Sequence, residues 1–203
     1  MPSQPDGEVV DMAFGLAGSS LDAEHALELD RAIAASLHWW DEERGAGVHP
    51  VRGARTDRGT VLLSKRARLF LRLPAGRIDA ARALEGASLD VGGHRIEVGA
   101  ARVWPLQPHP TLFSPRVAAG AASEDEFVAA IDRELLALGV ACKLICGRRI
   151  EVATGKGAMA VFGLALHDLK APQSLLVQAA GLGGERKLGC GIFVAHKLIT
   201  GLD

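Results

Sequence analysis

Residues 9–17, Val-Val-Asp-Met-Ala-Phe-Gly-Leu-Ala, form an apolar stretch closed by Gly18-Ser19-Ser20, which predicts a strand. The spacing then changes. Ala26, Leu29, Ile33 and Leu37 recur at helical intervals, with Glu24, Glu28 and Arg31 between them, and predict a helix over 22–38. Extended stretches follow at 47–53, around His49-Pro50, and at 60–64 and 68–73, the last two joined by Lys65-Arg66. Pro74 stops this pair, and a short helix over 75–85 with Ile78, Ala81 and Leu84 inward ends at Gly86. Strands are predicted again at 88–91, 94–98 and 101–106.

The same order then recurs. A strand over 111–118 follows Pro108-His109-Pro110. Ser123 and Glu126 have capping-box spacing before a helix face of Phe127, Ile131, Leu135 and Leu138, ended by Gly139. Strands over 141–152 and 158–167 flank the turn Thr154-Gly155-Lys156-Gly157, with Lys143 and Arg149 predicted on one face of the first and Arg148 on the other. Pro172 suits the first turn of a helix over 172–180, and a strand over 192–197 completes the set. Strand, helix, two strands, helix, strand is the ferredoxin-like order. The chain therefore reads as α+β, two tandem ferredoxin-like units, 1–107 and 108–203.

Hydrophobic residues make up 48% of the 203, enough for one domain or two small ones. No apolar run has membrane-spanning length, and the polar, acidic N-terminus is no signal peptide, so a cytoplasmic protein without a membrane partner is expected. Three cysteines without paired spacing fit a reducing compartment. Cys142 and Cys146 fall on one strand face about 13 Å apart, too far to bridge. No Cys/His cluster has zinc spacing, so neither a metal nor another cofactor is expected.

Charge changes the picture more. The net charge of −1 conceals ten acids and one base in residues 1–43, then nine bases and one acid in 44–77. The basic run alternates with apolar residues, which puts the charges on one strand face beside a polyanion. A second basic feature lies near the C-terminus. Gly181, Gly183, Gly184, Gly189 and Gly191 bracket Arg186-Lys187 between a helix and a strand. Such a loop is either a tight turn or a backbone cradle for an anion.

Four segments carry a resemblance. They are 47–53 (Gly-Val-His-Pro-Val-Arg-Gly), 69–74 (Leu-Phe-Leu-Arg-Leu-Pro), 144–149 (Leu-Ile-Cys-Gly-Arg-Arg) and 186–191 (Arg-Lys-Leu-Gly-Cys-Gly). Together they resemble the RAMP superfamily of repeat-associated RNA-binding proteins. The chain is most similar to the CRISPR-associated endoribonucleases of the myxobacterial and cyanobacterial type I branch, which process precursor transcripts. The resemblance implies the tandem ferredoxin-like fold and a histidine between the first helix and the second strand. It also implies CRISPR repeat RNA, precursor and mature, as partner, and membership of a type I interference complex with other subunits.

Metal-free RNA cleavage needs a base for the 2′-OH, an acid for the 5′-oxygen and cations for the phosphorane. No carboxylate cluster suited to two metal ions falls in the basic regions. Of seven histidines, His25 reads as an exposed helix residue, His94 as a turn residue, His109 as linker, and His167 and His196 as strand ends. His49, extended beside Arg52 and Arg55, is the first candidate. His38, at a helix C-terminus that favours its charged form, is the second. With no tyrosine in the chain, the second catalytic role falls to water, a serine such as Ser64 or a basic residue, and Lys65 and Arg148 are candidates for charge stabilisation. Arg52, Arg55, Lys65, Arg66, Arg148, Arg149, Gly183, Arg186, Lys187, Gly189 and Gly191 are the expected RNA contacts. Trp39 and Trp40 suit either sheet packing or base stacking. A non-catalytic guide-RNA-binding subunit and a small-anion-binding regulatory protein are the rival readings.

Overall fold

The computed structural model describes residues 7–196. The first unit runs β1 (Val9–Ala17), β2 (Ser20–Asp22), α1 (Ala26–Ser36), β3 (Gly47–Val48), β4 (Ala54–Arg55), β5 (Thr60–Leu62), β6 (Arg68–Pro74), α2 (Ile78–Ala81), β7 (Ser88–Val91) and β8 (His94–Pro105). Its main sheet has the order β3-β6-β1-β8-β7, the ferredoxin-like arrangement with β7 added at one edge. The second unit runs β9 (Leu112–Val117), α3 (Glu124–Ala137), β10 (Lys143–Thr154), β11 (Gly157–His167), α4 (Ala171–Ala180) and β12 (Val194–Ala195). Its order, β10-β11-β9-β12, is the same arrangement again. Lys197, the last residue of the predicted final strand, lies outside the described residues.

Alternation in β1 explains the layering. Val10, Met12, Phe14 and Leu16 enter a core with Leu29 and Ile33 of α1 and Leu69, Leu71 and Leu73 of β6. The odd positions Asp11, Ala13 and Gly15 face the other way, on the open face of the sheet. The second core packs Phe127, Ile131 and Leu135 of α3 on Phe162, Leu164 and Leu166 of β11. Ser123 caps α3 by accepting the Glu126 N–H at 3.2 Å. The Glu126 carboxylate reaches back to Ala122 N–H at 2.9 Å, one residue before the cap.

Three expectations are corrected. Residues 60–64 do not pair with 68–73: β5 joins β2 and β4 in a separate small sheet, and the antiparallel neighbours of β6 are β3 and β1. Gly53 allows this, since a Cβ there would collide with the Leu62 carbonyl. The predicted strands 94–98 and 101–106 are one strand, β8, with a register shift opposite Gly15. In β10, a bulge between Cys146 and Arg149 reverses the alternation. Arg149 pairs with Phe162 of the α3-side core, whereas Lys143 pairs with His167 on the opposite face, so the two basic residues do not share a face.

Trp39 and Trp40 are buried, which resolves the two readings in favour of packing. Trp40 donates to Asp30 Oδ1 at 2.7 Å, and the Arg77 guanidinium lies 5.1 Å from the Trp39 ring centre.

Candidate active site

Register assembles the site. Asp11 lies opposite Arg72, Ala13 opposite Phe70, and Gly15 opposite Arg68, so all six share the open face of the first sheet. The alternating run 68–73 therefore divides as its pattern predicts: leucines inward, Arg68, Phe70 and Arg72 outward. The chain leaves β3 with the His49 N–H bonded to Phe70 O at 2.9 Å, which brings the imidazole alongside this face. Its ring sits 5.6 Å from that of Phe70. Pro50 keeps His49 extended, as the sequence requires.

His49 Nε2 lies 3.1 Å from Asp11 Oδ1. Arg72 grips the same carboxylate with two bonds, Nε to Oδ1 and Nη2 to Oδ2, each 2.8 Å. Its Nη1 donates to Phe193 O at 2.6 Å and Gln178 O at 3.2 Å, both in the second unit. Arg72 is 1% exposed. One arginine thus fixes the carboxylate and joins the two units.

Burial by itself opposes ionisation of Asp11. The hydrogen bonds and charges of Arg72 and His49 outweigh it and hold the carboxyl well below its ordinary value. His49 is shifted down from its usual value, chiefly by burial and then by the charges of Arg72 and Arg52, against the opposing pull of Asp11. An ionised Asp11 only accepts, so Nε2 carries a hydrogen and neutral His49 keeps its lone pair on Nδ1. The histidine is arranged as a base.

A cleft of about 650 Å³ opens beside this pair. Arg52, Ser64, Arg66 and Arg68 line it, with Val194 and Ala195 from the second unit. Among the described residues Asp11 is the one acid on its wall, and both its oxygens are engaged. Among the described residues no group of three or more His, Cys, Asp or Glu is placed to hold a metal ion.

A sequence model of the family described as Cas6 Crispr matches residues 10–198. The chain belongs to the Cas6 family. It is 38% identical over 187 residues to the CRISPR-associated endonuclease Cas6 of Myxococcus xanthus, covering 91% of this chain and 80% of that protein. Solved structures share the fold at lower identity. A CRISPR associated protein Cas6 aligns over 94% of this chain and all of its own, at 14% identity and a TM-score of 0.62. The CRISPR endoribonuclease Cse3 bound to a 19 nt RNA aligns over 93% and 98%, at 16% and 0.55.

Within this Cas6 chain the other expected residues are dispersed. His38 is exposed just past the end of α1 and does not line the cleft. Arg55 on β4 and Lys65 are exposed near it without lining it. Arg148 and Arg149 lie at the β10 bulge and do not line the cleft, with Arg149 3.5 Å from Glu151. Lys187 donates to Asp41 O at 2.9 Å and lies 5.6 Å from the Trp40 ring centre. His25, expected on the surface, is buried at the start of α1 and donates from Nδ1 to Asp22 O at 2.6 Å.

The glycine-rich loop is a correction as well. Its glycine N–H groups already have protein acceptors: Val177 O for Gly181, Glu134 Oε2 for Gly183, Ala118 O for Gly184, Arg186 O for Gly189 and Arg116 O for Gly191. A Cβ on Gly183 or Gly191 would strike the carbonyl of Ala118 or Leu182. The Arg186 guanidinium points inward, donates to Ala180 O at 2.8 Å, and leaves Nε and Nη2 buried without a partner among the described residues. Burial, then the nearby Arg72, lowers its value to about 10. The loop therefore builds the junction between the units instead of offering a free anion cradle.

Asp11, Arg68, Phe70 and Arg72 were not among the expected site residues. A signal existed: Asp11 is the single charge of β1, and Arg72 sits between two buried leucines of β6, and such charges need a partner.

Proposed function

We propose that this protein is a metal-independent endoribonuclease that binds CRISPR repeat RNA and cuts the precursor transcript into guide RNA. His49 Nδ1 takes the proton of the 2′-OH. The 2′-oxygen attacks the adjacent phosphorus, the P–O5′ bond breaks, and water protonates the departing 5′-oxygen. The products are a 2′,3′-cyclic phosphate and a 5′-hydroxyl. Arg52, Arg66 and Arg68 offset the charge that builds on the phosphorane. Ser64 lies close enough to the cleft to hold the leaving-group water. Exposed Arg148 on β10 and Arg55 on β4 are positioned for phosphates of the repeat stem, which A-form geometry presents better than base edges. After the cut the protein stays on the guide RNA as a subunit of a type I interference complex.

The observation that carries this reading is an imidazole whose Nε2 is anchored to a paired carboxylate in an arginine-walled cleft. The test is the chemistry of the ends. Repeat RNA from the cognate array is incubated with the protein in EDTA, and the downstream product is labelled by polynucleotide kinase without prior phosphatase. Direct labelling supports the reading. A downstream product blocked by a 5′-phosphate, or cutting that requires added magnesium, overturns it.

A further inference from the structure

Trp104 is 55% exposed, and among the described residues it is the one aromatic side chain in the open. Register explains where it faces. Trp104 pairs with Asp11, and Arg102 with Ala13, so both stand on the open face that carries His49. Between them and β6, the small residues Ala13 and Gly15 leave a depression of about 350 Å³. Phe70 and Arg68 form its other wall, and among the described residues no acid lines it. Phe70 and Arg68 also line the cleft beside His49, so the two hollows adjoin. From β8 to β3 is three strand spacings, about 14 Å.

The composition of this hollow selects its occupant. Flat aromatic faces with flanking guanidiniums take unpaired bases and their phosphates, whereas a paired stem hides its base faces inside the stack. Among the described residues this large aromatic, flanked by arginines over a floor of alanine and glycine, stands more than half exposed instead of in a core.

We propose that this hollow is a stacking subsite for unpaired nucleotides next to the scissile bond. Bases lie on Trp104 and Phe70, and Arg68 and Arg102 hold the phosphates. The inference rests on the RNA-cleaving reading above. It adds that the enzyme recognises a single-stranded flank as well as the repeat stem.

Tryptophan emission tests it directly, because Trp39 and Trp40 are buried and Trp104 is not. The full chain is titrated with an oligouridine of about ten nucleotides, and separately with a blunt RNA duplex of equal charge. Oligouridine is expected to quench the exposed-tryptophan emission, and the duplex to leave it unchanged. Trp104→Ala is expected to weaken oligouridine binding about tenfold, with Trp104→Phe restoring most of it. Arg102→Ala is expected to lower the salt-dependence slope by about one. Leu136→Ala, at an exposed site on α3, serves as the surface control. Unquenched oligouridine binding, or equal affinities for wild type and Trp104→Ala, overturns the subsite. So does a Trp104-dependent dimer without an RNA effect, which would make the face a protein contact. If the wild type still cuts repeat RNA in any of these cases, the subsite alone is wrong. If it neither binds nor cuts, both readings fail.

Discussion

Asp11 Oδ1 is shared: it accepts from His49 Nε2 at 3.1 Å and from Arg72 Nε at 2.8 Å. The arginine fixes the carboxylate, and the carboxylate fixes the imidazole. Asp11→Asn breaks both relations. Its side chain either donates or accepts, so it no longer dictates which nitrogen of His49 carries the hydrogen. Single-turnover cutting is expected to fall by about 10²-fold or more, with repeat-RNA affinity little changed. A rate within about threefold of wild type would remove Asp11 from the mechanism.

The pH dependence follows from burial. In the proposed mechanism His49 is the neutral base, and its folded value lies below the ordinary histidine value of about 6.5. The cutting rate should rise with pH and level off before that point. Asp11 holds the His49 value up, so in Asp11→Asn the bend should move to lower pH. A rate that falls as pH rises through this range would make His49 the acid.

Stability carries a separate acid signature. The folded value of Asp11 lies below that of the unfolded chain, about 3.9, so as pH falls the unfolded chain takes the proton first. The contribution of Asp11 is complete above that pH and is lost as pH drops through the folded value. Urea unfolding of wild type from about pH 6 to about pH 3 should show this loss, and Asp11→Asn should show a shallower slope. Equal slopes would mean that the pair does not govern acid stability.

The layout was legible in the sequence to the extent that period and punctuation carried it. The alternation at 68–73 and the helix face from Phe127 to Leu138 depend on local spacing, and both are found. The pairing of β6 was not legible. Two residues, Gly47 and Val48, make too short a run to outweigh the stronger apolar pattern at 60–64. The β10 bulge was also hidden, since one extra residue leaves no mark in the apolar pattern yet turns Arg149 to the other face. At the candidate site, where the structure sets His49 beside Asp11 in the cleft, the extended, arginine-flanked context of the histidine was legible. Its partners were not, because Asp11 and Arg72 come from distant strands and meet only through register. The glycine loop misled because glycines that free a backbone for an anion look like glycines that free it for another strand.

Gly191→Ala separates those two roles. Gly191 has a φ of 66°, and its Cβ direction is filled by the Leu182 carbonyl. The substitution should cost more than about 1 kcal/mol and lower Tm by several degrees with no RNA present. An unchanged Tm with weakened RNA binding would restore the loop as an anion cradle.

Arg72→Met removes the bonds to Asp11, Gln178 and Phe193 together. Breaking such a buried pair costs roughly 3–5 kcal/mol, or about 10 °C in Tm for a chain of this size. Calorimetry checks this, and a shift under about 2 °C would show that the second unit is held by other contacts.

The most direct measurement is single-turnover cutting of labelled repeat RNA in EDTA by wild type, His49→Ala, His38→Ala and His25→Ala, with affinity measured on a 2′-deoxy substrate. His49→Ala alone should lose cutting by about 10²-fold or more while still binding the RNA. A His49→Ala protein that cuts at the wild-type rate, while His38→Ala or His25→Ala does not, would contradict the account.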